Sequence, residues 1–200
     1  TTMEDEWRKK LDESKWKSSY EQNNYDSVFY GLIRALKPKL IVELGTKNGF
    51  SAFHMAKALK DNGFGEIHCY DLWEKYEFHS CTMAEALDNL KEFVDAGIAK
   101  LKLKDAVEVS KDYHEPVDVL HIDLSNKGEI LEQTLSHWLP KVKSLVILEG
   151  GSEERDKVDW IIKYNKQPIR EWLKKNNDKF NYIILKNFPG LTLLQPRNVN

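Results

Sequence analysis

Residues 40–51 read Leu-Ile-Val-Glu-Leu-Gly-Thr-Lys-Asn-Gly-Phe-Ser, and no other stretch narrows the possible folds as much. An apolar run ends in an acid, Glu43, passes through Gly45 and Gly49, and enters a helix-like stretch at Ser51. That is a strand, a tight glycine turn and a helix N-terminus, the arrangement with which α/β proteins hold nucleotide-like ligands. Gly45 permits backbone angles closed to other residues, and Gly49 leaves the main chain free for close approach by a ligand. The spacing is G-x-x-x-G with the acid ahead of the first glycine, not the G-x-G-x-x-G of dinucleotide folds.

The remaining sequence alternates apolar runs with helical patterns. Short runs at 66–70, 101–103, 117–122 and 144–148 read as strands. Between and around them, helices are expected at Tyr25–Leu36, Ser51–Lys60, Met83–Phe93, Glu129–Trp138, Glu153–Tyr164 and Pro168–Asn176. Phe180–Leu185 and Leu191–Leu194 are joined only by Lys-Asn-Phe-Pro-Gly, too short for a crossover, so these two strands must pair antiparallel. Residues 1–23 are polar with scattered aromatics, Trp7, Trp16 and Tyr20, and predict a loosely held helix or arm. At 200 residues the chain is most economically one domain able to bury its own core.

Four strand ends carry acids: Glu43, Asp71, Asp123 and Glu149. Acids are unfavourable inside strands, and ligands of open parallel sheets bind at the strands' carboxyl ends. The four together therefore point to a site rather than to scattered surface charge.

The E-x-G-x-x-x-G turn ending in Gly-Phe-Ser, the Val-Leu-His-Ile-Asp run at 119–123 and the terminal hairpin together carry a resemblance. Over about residues 25–195 the chain resembles the class I S-adenosylmethionine-dependent methyltransferases, most of all the small-molecule O-methyltransferase branch of macrolide-sugar and catechol type. The resemblance implies an α/β, Rossmann-like methyltransferase fold. Its seven-stranded, mostly parallel sheet would close in a C-terminal antiparallel hairpin whose last strand inserts between its neighbours. It implies one S-adenosylmethionine-binding domain, residues 25–200, preceded by an arm or lid, residues 1–24. Cofactor contacts implied by position are Glu43 under the glycine turn and Gly45, Thr46, Asn48, Gly49 and Ser51 around the carboxylate end. Asp71 would take the ribose hydroxyls, Leu72 and Trp73 would cover the adenine, and Asp105-Ala106 would lie near the adenine amine. For Trp73, ordinary packing is an equal alternative.

Catalysis falls to Asp123 and Glu149 on the same grounds. In the resembled subgroup the acid at this position often binds Mg²⁺ with the residues that follow it and with acids after strand five. Here Asp-Gly-Asp-His becomes Asp123-Leu124-Ser125-Asn126 and the paired acids become Glu149-Gly150, leaving Asp123 and Glu149 as a reduced metal site, with Asn126 in reach. Without a metal, Asp123, Glu149 or His121 is the candidate base, and Lys127 and Arg155 are candidate contacts for an acidic acceptor. The arm's aromatics, with Tyr25, suit either a cover over the acceptor pocket or a homodimer contact.

Other features limit partners and setting. A net charge of -2 gives no electrostatic reason to expect nucleic acid. No stretch approaches the ~20 apolar residues of a membrane span, and no secretory signal is visible, so a cytoplasmic protein with a small-molecule acceptor is expected. Cys69 and Cys81 have no metal-ligand spacing and read as free thiols. Two other readings remain open: a non-catalytic cofactor-binding or assembly protein of this fold, and a nicotinamide-dependent oxidoreductase. The second predicts a different glycine turn and leaves the terminal hairpin unexplained.

Overall fold

The computed structural model describes residues 2–197; the side chains of Met3, Glu4 and Trp7 lie outside the described set, so the use expected of Trp7 is not addressed. Helix α1 (Met3–Glu13) starts from a capping box between Thr2 and Asp5. A 3₁₀ turn, Ser19–Asn23, leads into α2 (Tyr25–Leu36), which buries Tyr25, Phe29 and Ile33 on one face. Its end at Lys37, in left-handed conformation, precedes Pro38. Strand β1 (Leu40–Leu44) follows, and Gly49 (φ 91°) opens α3 (Phe50–Asn62).

After β2 (Glu66–Asp71), the helix expected over 83–93 is two helices, α4 (Met83–Asn89) and α5 (Lys91–Asp95). The break falls at Leu90, which is fully buried with its side chain against Gly49. Strand β3 (Ala99–Leu103) is followed by α6 (Ala106–Asp112), a two-turn helix too short to leave a periodic signature in the sequence. Asp105 caps it by accepting from the N–H groups of Val107 and Glu108. Then come β4 (Val117–Ile122), α7 (Gly128–Trp138) and β5 (Val142–Glu149). The helix expected over 153–164 is likewise divided, into α8 (Glu153–Asp156) and α9 (Asp159–Lys163). Helix α10 (Ile169–Lys175) and strands β6 (Phe180–Leu185) and β7 (Leu191–Pro196) complete the chain.

The sheet runs β3-β2-β1-β4-β5-β7-β6. Strands β1 to β5 are mutually parallel, and β7 inserts antiparallel between β5 and β6, as the sequence led us to expect. Alternating side chains feed two cores. Ile41, Ile67, Val119 and Ile147 meet α2, α3 and α5, while Val42, Leu120, Val146 and Leu148 meet α6, α7 and α10. The chain winds from β1 outward to β3, then returns to place β4 on the other side of β1. That reversal puts the topological switch between β1 and β4, where such sheets open a crevice at their carboxyl ends. Among the described residues no helix is long and apolar enough to cross a membrane, and both cysteines are free and buried.

Candidate functional site

The glycine turn after β1 is tied to the end of β2. Gly45 N–H donates to Tyr70 O (2.9 Å), and Asp71 Oδ2 accepts from the N–H groups of Thr46 and Lys47, each at 2.8 Å. Asp71 Oδ1 accepts from Trp73 N–H (2.9 Å). A carboxylate offers about four acceptor positions, so one remains for a ligand hydroxyl beside three main-chain donors. Trp73 is buried, donates its indole N–H to Lys47 O (2.8 Å) and packs with Cys81 and Ala86; Leu72 beside it is half-buried. Gly45 is needed for a local reason: a Cβ there would stand 2.0 Å from the main-chain oxygen of Asp123. The turn therefore lies directly against the end of β4.

Beneath it runs a buried polar chain. The parallel register sets Glu43 on β1 beside His121 on β4, and neither is exposed. His121 Nδ1 meets Glu43 Oε2 at 2.9 Å, Ser51 donates to the same oxygen at 2.6 Å, and the Tyr20 hydroxyl meets His121 Nε2 at 2.9 Å. Because the carboxylate only accepts, Nδ1 donates to it, and in the neutral ring Nε2 accepts the Tyr20 proton. Burial, reinforced by the charges of Asp123, Glu149 and Glu43, pushes the Tyr20 phenol well above its ordinary range and keeps it a donor. His121 is thus enclosed between two partners rather than presented as a free base.

These contacts anchor the segment that the sequence suggested would be loosely held. Tyr20 is 1% exposed, Trp16 packs on Phe50 and Phe53, and Asn48 donates to Lys15 O (2.9 Å). Asn23 and Tyr25 bond the carbonyls of Phe188 and Asn187 in the connection between β6 and β7. Residues 14–25 therefore bridge the glycine turn, β4 and the terminal hairpin. Tyr20→Phe, which leaves His121 Nε2 without its donor, is expected to cost about 1–3 kcal/mol in urea unfolding. It should also speed proteolysis ahead of α2.

Asp123 sits half-buried at the end of β4, and among the described residues its carboxylate accepts no hydrogen bond. Burial, then the neighbouring charge of Glu149, raises it from 3.8 to about 7. Glu149, at the end of β5, is held by Arg155 on both oxygens, Nε to Oε1 at 2.8 Å and Nη2 to Oε2 at 3.1 Å. The positive φ angles of Gly150 and Gly151, 100° and 114°, turn the chain so that α8 brings Arg155 back onto β5. Asn126 is equally engaged: Nδ2 donates to the carbonyls of Ile122 and Glu149, and Oδ1 accepts from Leu124 N–H. A divalent cation needs several free oxygens converging on it. Of the donors expected of a reduced metal site, Glu149 is taken by Arg155 and Asn126 by main-chain groups, which leaves Asp123 alone, and the described residues contain no group of three acids, histidines or cysteines that could hold a metal. The residues present do not fit Mg²⁺; a buried guanidinium stands beside Asp123 and Glu149 instead.

Among the described residues, Glu43 Oε1 and Asn48 Oδ1 are buried acceptors without a donor. Unpaired buried acceptors are costly, and these two suit the N–H donors of a ligand. Residues 42–149 match the family model described as a methyltransferase domain. The chain belongs to the methyltransferase domain family. A curated relative from Sinorhizobium fredii, the uncharacterized protein y4gI, is 29% identical over 133 residues, 62% of this chain but 14% of that protein. The match thus spans a small part of the relative's length.

Solved structures show the same methyltransferase fold. The O-methyltransferase TomG from Streptomyces achromogenes, solved with SAM, superposes with a TM-score of 0.65 at 14% identity, over 99% of this chain and all (100%) of that one. The SAH-bound methyltransferase PaMTH1 from Podospora anserina gives 0.64 at 16% identity, over 94% and 88% of the two chains. On this methyltransferase domain, the sequence-stated positions Glu43, Gly45, Thr46, Asn48, Gly49, Ser51 and Asp71 lie together at the carboxyl ends of β1 and β2. Asp105 and Ala106 lie beyond β3, and Asp123 and Glu149 lie at the ends of β4 and β5. Sequence reasoning did not find the roles of Tyr20, as partner of His121, or of Arg155, as partner of Glu149.

Proposed function

We propose that this methyltransferase domain moves a methyl group from S-adenosylmethionine to a hydroxyl of a small-molecule acceptor, with Asp123 as the general base. The observation that carries the proposal is the state of Asp123: a half-buried carboxylate at the switch point, without a hydrogen-bond donor and raised to about 7. A base poised near neutral pH is suited to taking a hydroxyl proton.

Bound S-adenosylmethionine would supply the methyl group from its sulfonium and leave as the neutral thioether. The chain's own residues would do the rest. Glu43 Oε1 and Asn48 Oδ1 would receive the ammonium, the N-terminus of α3 would face the carboxylate, and Asp71, which already holds the turn through the N–H groups of Thr46 and Lys47, would take a ribose hydroxyl on its remaining acceptor position. Asp123 accepts the acceptor's proton as the new C–O bond forms. Arg155, held by Glu149, keeps a fixed positive charge beside that reaction without a metal ion. Residues 14–25 would cover the acceptor side and exclude water.

The test is turnover with methyl-labelled S-adenosylmethionine and a panel of small hydroxylated compounds, with and without EDTA. Labelled ethers formed equally in both support the proposal. Label on nitrogen, or turnover that needs added Mg²⁺, overturns it.

A further inference from the structure

Arg155 is 6% exposed, and two corners of its guanidinium are used: Nε and Nη2 hold Glu149, and Nη2 also donates to Asn126 O at 3.1 Å. The third corner, Nη1, is buried and has no hydrogen-bond partner among the described residues. Asp156, adjacent in sequence, accepts from Ile169 N–H (3.1 Å), and among the described residues the ion pair of Arg155 is with Glu149. A buried cationic N–H group without an acceptor is costly in free energy, and a fold tolerates it where a ligand supplies the acceptor.

The surroundings suit such a ligand. The guanidinium carbon lies 5.0 Å from the centre of the Trp160 ring, and Lys127 Nζ lies 5.5 Å from the same ring. Trp160 and Lys127 are half-buried, and Lys127 brings a second cation to the same ring from the loop after β4. Lys127 opens the helix that follows β4, and Trp160 lies in α9, which follows β5.

We infer that the acceptor carries an anionic oxygen group, a carboxylate or a phosphate, which Nη1 of Arg155 binds with Lys127 closing over it beside Trp160. The inference rests on the methyl-transfer reading for the hydroxyl half of the molecule. An anionic group on Arg155 and a hydroxyl next to Asp123 together describe a small hydroxy acid or a hydroxylated phosphate ester. Guanidinium favours such groups because its planar donors match their oxygens.

The experiment is calorimetric titration of the full chain at pH 8 with 4-hydroxybenzoate, phenyl phosphate and the uncharged 4-hydroxybenzamide, with S-adenosylhomocysteine titrated in parallel. At least one anion should bind about tenfold more tightly than the amide, and the tighter of the two names the group. Arg155→Lys, which keeps a positive charge for Glu149 but lacks Nη1, should erase that preference. Lys127→Gln, a change at the edge of the site, should weaken it severalfold without changing the melting temperature. Equal binding of anions and amide, no anion binding at millimolar concentration, or a preference surviving in both variants would overturn the inference. S-adenosylhomocysteine binding without an anion preference would sink this inference alone. A preference without S-adenosylhomocysteine binding would sink the methyl-transfer reading and leave the anion site standing.

Discussion

Asp123→Asn is expected to lower methyl transfer by about 10²–10⁴-fold, the usual contribution of a positioned general base, and at the same time to stabilise the fold. The two effects share one cause. Burial, and then the charge of Glu149, raises Asp123 from 3.8 to about 7. Between those values the folded protein keeps a proton that the unfolded chain has released, so stability falls as pH rises through the window. The penalty is complete above about pH 7 and absent below about pH 4. At roughly 1.4 kcal/mol per unit, its ceiling is on the order of 4 kcal/mol. The neutral amide escapes it, so the variant's advantage in melting temperature should grow from pH 4 to pH 7 and then level off. Wild-type turnover should rise through the same upper limit as Asp123 ionises. Melting curves and rates across that range check both, and an active variant with wild-type stability at pH 8 would contradict the assignment.

Arg155→Met is the most damaging single change we expect for the fold. It leaves the Glu149 carboxylate buried without its ion-pair partner and strips Asn126 O of a donor. Breaking a buried ion pair from one side costs about 3–5 kcal/mol, a large part of a typical domain's stability. Removing both charges should be far milder, so Glu149→Gln with Arg155→Met is expected to recover much of the loss in urea unfolding. A single-variant loss below about 1 kcal/mol would mark the pair as a solvent-screened surface contact.

The features legible in the sequence are those set by neighbours along the chain. The strand, glycine turn and helix at 40–51 declare themselves because turn chemistry and periodicity are local, and the five-residue connector at 186–190 forces β6 and β7 to pair antiparallel. The inserted position of β7 followed from the family resemblance. Helix α6 escaped notice because seven residues carry too little periodicity; Leu90, where α4 gives way to α5, packs against Gly49, far off in sequence.

The site was legible as positions but not as partnerships. Glu43 and His121 are 78 residues apart, and Tyr20 and His121 are 101 apart; only sheet register and the path of the N-terminal segment bring them together. Arg155 looked like a loop cation, since nothing in its own stretch tells that Gly150 and Gly151 fold it back onto Glu149. That single turn changes the chemistry of the site. It gives to a guanidinium the carboxylate that a metal ion would otherwise need.

The most direct test of the central claim is calorimetric titration of the purified chain with S-adenosylhomocysteine, set against NAD. Saturable binding of S-adenosylhomocysteine in the micromolar range, with none of NAD, is the predicted result. A folded protein that binds NAD instead, or binds neither, would contradict it.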